Sequence, residues 1–220
     1  MSGSDTVSWA SILPLVPSCL PINVLDLLHR RVVEAPRIEL KGTWDKDSVG
    51  PRLLETICAF ANDFHNLNGG YVVIGVEERG GVPALPPKGL EPDRLEDIQK
   101  WVRGNCRRRL DPEYQPVLSP EVVEGRHVLV VWAPASDVRP HTAPSSRDPK
   151  KRVYFVRLGA ESVEARGQVL TDLLSMAAKV PFDDRLARHF TRTEAEVTAE
   201  LPRSLDLAGL ARSPREQWHR

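Results

Sequence analysis

An apolar run, YVVIGV at residues 71–76, constrains the fold more than any other stretch of the 220-residue chain. Apart from Gly75, every residue in it is β-branched or aromatic, and no polar residue alternates with them. Runs of this kind form strands that are covered on both faces, whereas half-exposed strands alternate apolar and polar residues. The run therefore predicts a central strand, and it is followed directly by two carboxylates, Glu77 and Glu78.

The residues before this run predict a strand and a helix. In RIELKG, at residues 37–42, alternate residues fall on opposite strand faces, so Glu39 and Lys41 point the same way. An amphipathic helix pattern spans residues 51–65, and HNLNGG supplies its exit because Asn and Gly tolerate left-handed backbone conformations. We expect a strand–helix–strand unit whose two strands are parallel and joined by a right-handed crossover.

The remaining patterns predict an α/β (α+β) domain in which a mixed β-sheet is flanked by helices. Further helices are expected at 21–35, 92–110 and 167–179, and further strands at 115–123, 127–133 and 152–159. The Pro- and Ser-rich segment between the last two strands predicts a long surface loop, at 134–151. We expect a flexible N-terminal arm at 1–20, a domain at 21–185 and a short C-terminal tail at 186–220.

Composition narrows the class of protein. Thirty basic residues balance thirty acidic ones, so net charge predicts no partner and only the distribution of charge can do so. Cys19, Cys58 and Cys106 form no C-x-x-C pair, which favours buried free thiols in a reducing cytoplasm over a disulfide framework or a zinc site. No run reaches the roughly 20 apolar residues of a membrane span. The apolar N-terminal segment also lacks the basic lead-in of a signal peptide, so we expect a cytoplasmic protein.

Basic residues are concentrated in two regions of the sequence, which are the helix expected at 92–110 and the segment that leads into the strand expected at 152–159. The first cluster consists of Lys100, Arg103, Arg107, Arg108 and Arg109, and the second of Arg139, Arg147, Lys150, Lys151 and Arg152. Segregated positive charge attracts phosphate backbones without reading their sequence. A solvated helix face and a solvated loop would give the same pattern.

An ordered series of motifs resembles the AlbA-like domain of Schlafen proteins. In chain order the motifs are Glu34 followed by RIELK, then ETICAFAN, NGGYVVIGVEE, GRHVLVVWAP, RPHTAP and YFVRLGAESVEA. This domain also occurs in proteins classed as transcriptional regulators, some of them under the older names "divergent AAA" or helicase-like. The resemblance covers roughly residues 30–185 and implies a mixed α/β domain that binds DNA or structured RNA such as tRNA.

Some members of this family cut RNA with three acidic residues. The resemblance places the first two at Glu34 and Glu39 and the third at Glu77, where nuclease-active members commonly have Asp, with Glu78 as a substitute. Such a trio would hold Mg²⁺ or Mn²⁺ and leave open positions for a substrate phosphate. Lys41 would stabilise the developing negative charge. Acidic residues at a strand end are also often no more than solvated turn residues.

Three functions stay open at this point. The first is a nucleic-acid-binding, transcriptional-regulator-like domain, the second is a Mg²⁺- or Mn²⁺-dependent endoribonuclease that cleaves tRNA or rRNA, and the third is a protein-interaction scaffold or homodimer. ATP is not expected as a cofactor, because the chain has no G-x-x-x-x-G-K-[ST] loop. Regulator-like relatives continue past a segment similar to VPFDDR at 180–185, so we expect either a short stand-alone form or a truncated one.

Overall fold

The computed structural model describes residues 20–29 and 36–177 of the chain. The helices are α1 (Val24–His29), α2 (Val49–Asn62), α3 (Leu95–Arg109) and α4 (Gly167–Ala177), and a 3₁₀ turn at Pro92–Arg94 leads into α3. The strands are β1 (Ile38–Lys41), β2 (Gly70–Ile74), β3 (Glu78–Arg79), β4 (Val82–Pro83), β5 (Val117–Val123), β6 (Arg126–Ala133), β7 (Thr142–Pro144), β8 (Arg152–Leu158) and β9 (Glu161–Glu164). The predicted tail and all but the last residue of the predicted arm lie outside the described residues, so the domain boundaries stay predictions.

The main sheet has four strands in the order β1-β2-β6-β5. β1 and β2 run parallel, with Ile38 beside Tyr71 and Lys41 beside Ile74, as the strand–helix–strand pattern predicts. β6 pairs antiparallel with both β2 and β5. All five residues of β2 are buried, which confirms the prediction of a central strand.

Helices pack on both faces of the main sheet. Along β2, Val72 and Ile74 belong to the core cluster that includes α2 and α3, whereas Tyr71 and Val73 belong to the cluster that includes α1. Successive strand residues point to opposite faces, so a strand with helices on both sides needs apolar residues at every position. This packing explains why the YVVI segment contains no polar residue.

A second sheet, with the order β7-β8-β9, packs against α2, and β3 and β4 form a separate two-stranded hairpin. The mixed α+β class is confirmed, but the strands are divided among three sheets. The sequence patterns missed β3, β4, β7 and β9, and assigned β7 to the long loop. Strands as short as Thr142–Pro144 carry too few residues to show an alternation, and this one is fixed by its pairing with β8.

A buried polar network joins α2 to the start of β7. The Asn62 amide donates to the carbonyls of His141 (3.0 Å) and Phe155 (2.7 Å), and its Oδ1 accepts the His141 N–H at 2.6 Å. The Nδ1 of His141 lies 2.7 Å from the Pro112 carbonyl, so it carries the proton, and Nε2 accepts from the Ser136 hydroxyl at 2.6 Å. Burial lowers the pKa of His141, which is consistent with this neutral ring.

Helix α2 ends at Asn62, earlier than the HNLNGG motif suggested. Asp63 adopts a left-handed conformation (φ 41°), and its carboxylate accepts the backbone N–H groups of Leu67 at 2.8 Å and Asn68 at 3.0 Å. The aspartate therefore turns the chain toward β2, and the Asn and Gly residues complete the turn.

The described cysteines agree with the prediction of buried free thiols. Cys58 and Cys106 are both unpaired and buried, and Cys19 lies outside the described residues. Burial raises the pKa of each of the two thiols to about 12.

Candidate nucleic-acid interface and acidic site

Glu39 and Lys41 lie on the same face of β1, as their spacing predicts. The Lys41 Nζ contacts Glu39 Oε1 at 2.6 Å, and both side chains are about one-fifth exposed. The second carboxylate oxygen of Glu39 contacts the Arg157 guanidinium at 2.8 Å. Each oxygen of Glu39 is therefore paired with a cation.

Arg157, on β8, is a residue of this site that the sequence patterns did not reveal. Its side chain is 7% exposed, and it also donates to the Ile38 carbonyl at 3.2 Å and the Ser162 hydroxyl at 3.1 Å. The guanidinium carbon lies 5.3 Å from the centre of the Phe60 ring. The available signal was strand alternation, because Phe155 and Arg157 share a face of β8, and an arginine on a buried face requires a buried acceptor.

Glu77 lies just beyond the carboxyl end of β2, beside the end of β1. A Cβ at Gly42 would overlap the Glu77 side chain, so the glycine permits this close approach. The Glu77 carboxylate is 37% exposed and pairs with Arg79 at 3.2 Å and Lys88 at 3.7 Å. Glu78 is exposed on β3.

The donor set of the described residues does not fit a divalent cation. Hard cations bind carboxylate oxygens that converge on one point, but the oxygens of Glu39 and Glu77 contact lysine and arginine nitrogens. Within 20–29 and 36–177 no three acidic, histidine or cysteine side chains are grouped to hold a metal. Glu34 lies outside those residues, so the acidic trio stays a prediction.

The first basic cluster lies along α3. Lys100, Arg103 and Arg107 are spaced by three and four residues, so they lie on one side of the helix. Lys100 pairs with Glu96 at 2.7 Å and Arg107 with Glu113 at 3.3 Å, and all four side chains are more than half exposed. Arg108 is exposed and Arg109 is half-buried.

The second basic cluster is divided by the structure. Arg139 donates to the Asn62 and Asp63 carbonyls and to the Asn66 amide oxygen, and its side chain is 24% exposed, so it holds the loop against the end of α2. The other four cations are exposed on the segment that leads into β8: Arg147, Lys150, Lys151 and Arg152. Of these, Lys151 pairs with Glu164 at 2.7 Å.

A backbone bridge brings the two clusters together. Asp111 and Thr142 exchange both hydrogen bonds, N–H to carbonyl, at 3.0 and 2.7 Å. Asp111 follows Arg109 by two residues, and the Arg152 guanidinium donates to the carbonyl and hydroxyl oxygens of Thr142, each at 3.2 Å. The exit of α3 and the start of β8 are therefore neighbours, although about 40 residues separate them in the sequence.

Several solved structures, including the two that follow, are similar to parts of this chain, and no curated protein matches it. The N-terminal domain of a RecG-related protein from Nitrosomonas europaea is 30% identical, and the alignment covers 52% of this chain and 71% of that one, with a TM-score of 0.39. The DIP2311 protein from Corynebacterium diphtheriae is 18% identical over 59% of this chain and 22% of that one, with a TM-score of 0.41.

Among the described residues, no helix has both the length and the hydropathy needed to span a bilayer.

The family model for the Schlafen AlbA_2 domain matches residues 34–166, which is more than half of the chain. The matched residues include β1 with Glu39, the Arg157 that pairs with Glu39, and both basic clusters. The chain therefore belongs to the Schlafen AlbA_2 family.

Proposed function

We propose that this domain binds nucleic acid by contacting phosphate groups with a basic surface formed by the exit of α3 and the start of β8. We define this basic surface as Arg103, Arg107, Arg108, Arg147, Lys150, Lys151 and Arg152. The observation that carries the proposal is the Asp111–Thr142 bridge, which joins two regions of positive charge that are distant in the sequence. Arg139 is left out because its guanidinium is bonded to α2 and the following turn and its side chain is only 24% exposed, whereas Arg152 is exposed.

The cations of this surface are available to a phosphate. Arg108, Arg147 and Lys150 are exposed and form no ion pair with another described residue. The pairs that Arg107 and Lys151 make are exposed, and such pairs are worth about 0–1 kcal/mol, so a phosphate can replace the carboxylate. Binding of this kind does not read base sequence, and we expect the affinity to fall steeply with salt.

The test measures fluorescence anisotropy with labelled tRNA and with duplex DNA at several salt concentrations. We expect the triple variant Arg108→Ala, Arg147→Ala, Lys150→Ala to reduce the slope of log affinity against log salt by about one for each phosphate that the variant no longer neutralises. The matched control removes three charges elsewhere, with Arg79→Ala, Lys88→Ala and Arg126→Ala. An absence of binding at low salt, or equal reductions in the two triple variants, would refute the proposal.

The metal-dependent endoribonuclease stays a second candidate. Glu39 and Glu77 alone do not fit a cation, but the remaining carboxylate of the trio, Glu34, lies outside the described residues, and Lys41 lies beside Glu39 at 2.6 Å. The test of this candidate incubates tRNA with the protein and either Mn²⁺ or EDTA, and reads cleavage on a denaturing gel. Glu77→Gln is the informative variant, because its ion pairs are exposed. Glu39→Gln alone would be ambiguous, since it also breaks a nearly buried pair with Arg157. Cleavage that persists in Glu77→Gln would exclude the proposed trio.

The scaffold alternative and a role in transcriptional regulation stay predictions as well. Light scattering on the same samples, with and without tRNA, distinguishes a homodimer from a monomer. A dimer that forms at all salt concentrations and binds no nucleic acid would favour the scaffold.

A further inference from the structure

A pocket of about 270 Å³ opens at the carboxyl ends of the two parallel strands. Thr43 and Trp44 line it from the segment that follows β1. Gly89 and Leu90 line it from the other side, and the Gly89 N–H donates to the Gly75 carbonyl at 2.9 Å, which ties this segment to the end of β2. In open α/β sheets, ligands bind outside the carboxyl ends of the strands. We call this cavity the Trp44 pocket.

The walls of the Trp44 pocket combine a rigid apolar part with unused polar groups. The apolar part consists of Trp44, Leu90 and Ile98, and the indole of Trp44 is held edge-to-face by Trp101, with the ring centres 5.1 Å apart and the planes at 74°. The polar part consists of Thr43, Glu91 and Arg94. Their side chains form no hydrogen bond or ion pair with any other described residue.

We propose that the Trp44 pocket binds a nucleobase and its phosphate, an inference that rests on the nucleic-acid-binding function proposed above. The base stacks on the Trp44 indole, the Glu91 carboxylate accepts N–H groups from the edge of the base, and the Arg94 guanidinium binds the phosphate. A pocket with an aromatic wall and a few polar groups at its rim suits a planar, hydrogen-bonding ring. Its volume is below the 300–1,000 Å³ range of drug-sized ligand sites, so it accommodates a single base.

The position of the pocket predicts a preference for single strands. A base can enter only if it is unstacked and unpaired, which a duplex does not offer without flipping. Arg94 directly precedes α3, and the basic surface begins at Arg103 in the middle of this 15-residue helix and continues past its far end, about 22 Å from Arg94. A strand whose base occupies the Trp44 pocket can therefore run along α3 to the basic surface.

The test compares Trp44→Leu with the wild-type protein, using a labelled single-stranded oligonucleotide and a duplex of the same length. We expect binding of the single strand to weaken about tenfold or more, because the variant removes an aromatic–base stack, and binding of the duplex to stay unchanged. Trp44→Phe retains a stacking ring and should restore most of the affinity. Equal affinity of wild type and Trp44→Leu for the single strand would overturn the proposal, as would equal weakening for both substrates.

Two rim variants keep the test decisive if Trp44→Leu does not fold. Arg94→Gln and Glu91→Gln alter exposed side chains that bond to no other described residue. Arg52→Gln, at an exposed arginine that is not part of the pocket lining, is the control for removal of one charge. We expect both rim variants to weaken single-strand binding several-fold and the control to leave it unchanged. Wild-type affinity in both rim variants would refute the assignment.

Titrating the same proteins with the four nucleoside monophosphates shows whether the pocket binds the base of a free nucleotide or the base of a single strand. Binding of a monophosphate that disappears in Trp44→Leu identifies a site for free nucleotides, and binding of oligonucleotides alone identifies a site for single strands. If monophosphates bind at the pocket and no polynucleotide binds, the pocket assignment holds and the proposed function fails. If the duplex binds and the Trp44 variants have no effect, the proposed function holds and the pocket assignment fails.

Discussion

Replacing either partner of the Glu39–Arg157 pair should destabilise the fold substantially. The Arg157 side chain is 7% exposed and that of Glu39 is 20% exposed, with 2.8 Å between the charged groups. Removing one partner of a buried ion pair costs about 3–5 kcal/mol, because the other charge is left without its counter-charge. Lys41 stays beside Glu39 when Arg157 is removed, so we expect the lower end, about 3 kcal/mol, for Arg157→Met.

This destabilisation is large enough to measure by thermal unfolding. For a chain of this size, 1 kcal/mol shifts the Tm by roughly 2–4 °C, so Arg157→Met should lower it by roughly 6–12 °C. Glu39→Gln should lower it by a similar amount, because it leaves a nearly buried guanidinium without a carboxylate. The loss of stability in the double variant should be smaller than the sum of the two single losses. The difference should be at least about 1 kcal/mol, because the two residues are in contact.

Glu77→Gln is the matched control, because Glu77 is also paired with two cations but is 37% exposed. Exposed pairs contribute little, so its Tm should change by less than about 2 °C. If Glu39→Gln were as harmless as this control, the pair with Arg157 would not stabilise the fold. Glu39 would then be free to act as a metal ligand, and the structural interpretation would be wrong.

Two further predictions concern the polar network between α2 and β7. The pKa of His141 is lowered by burial from 6.5, so the unfolded chain binds a proton that the folded chain does not, and the free energy of unfolding should fall as the pH drops below about 6.5. In urea titrations the free energy of unfolding should therefore decrease between about pH 6.5 and 5.5, and an equal decrease in His141→Gln would contradict this origin. Asn62→Ala leaves three buried backbone groups without the partner they have in the wild type, so it should cost about 2–4 kcal/mol, and a change below about 1 kcal/mol in urea unfolding would show that the network contributes little.

The sequence predicted only part of each candidate site, the acidic site at Glu39 and the basic surface. The side-by-side placement of Glu39 and Lys41 was predictable, because strand alternation is a property of the local backbone. The pairing of Glu39 with Arg157 was not, because the two residues come from different sheets and are far apart in the sequence. The positions of positive charge in the two basic clusters were visible in the sequence, but the Asp111–Thr142 bridge that joins them was not. Arg139 was predicted to bind nucleic acid, but its guanidinium donates to backbone carbonyls of this chain. A sequence shows that a residue is charged, but it does not show which acceptors the charged group already contacts.

The sequence by itself determined the features that depend on neighbouring residues. These include the buried central strand, the amphipathic helices α2 and α3, the parallel pairing implied by the strand–helix–strand pattern, and the family to which the ordered motifs belong. Tertiary structure alone decided which distant groups meet: Arg157 with Glu39, the α3 exit with the start of β8, and Trp44 with Trp101 beside an open pocket. The physical reason is that periodicity and capping act within a few residues, whereas ion pairs, bridges and pockets arise where packed elements bring remote side chains within a few ångströms of each other.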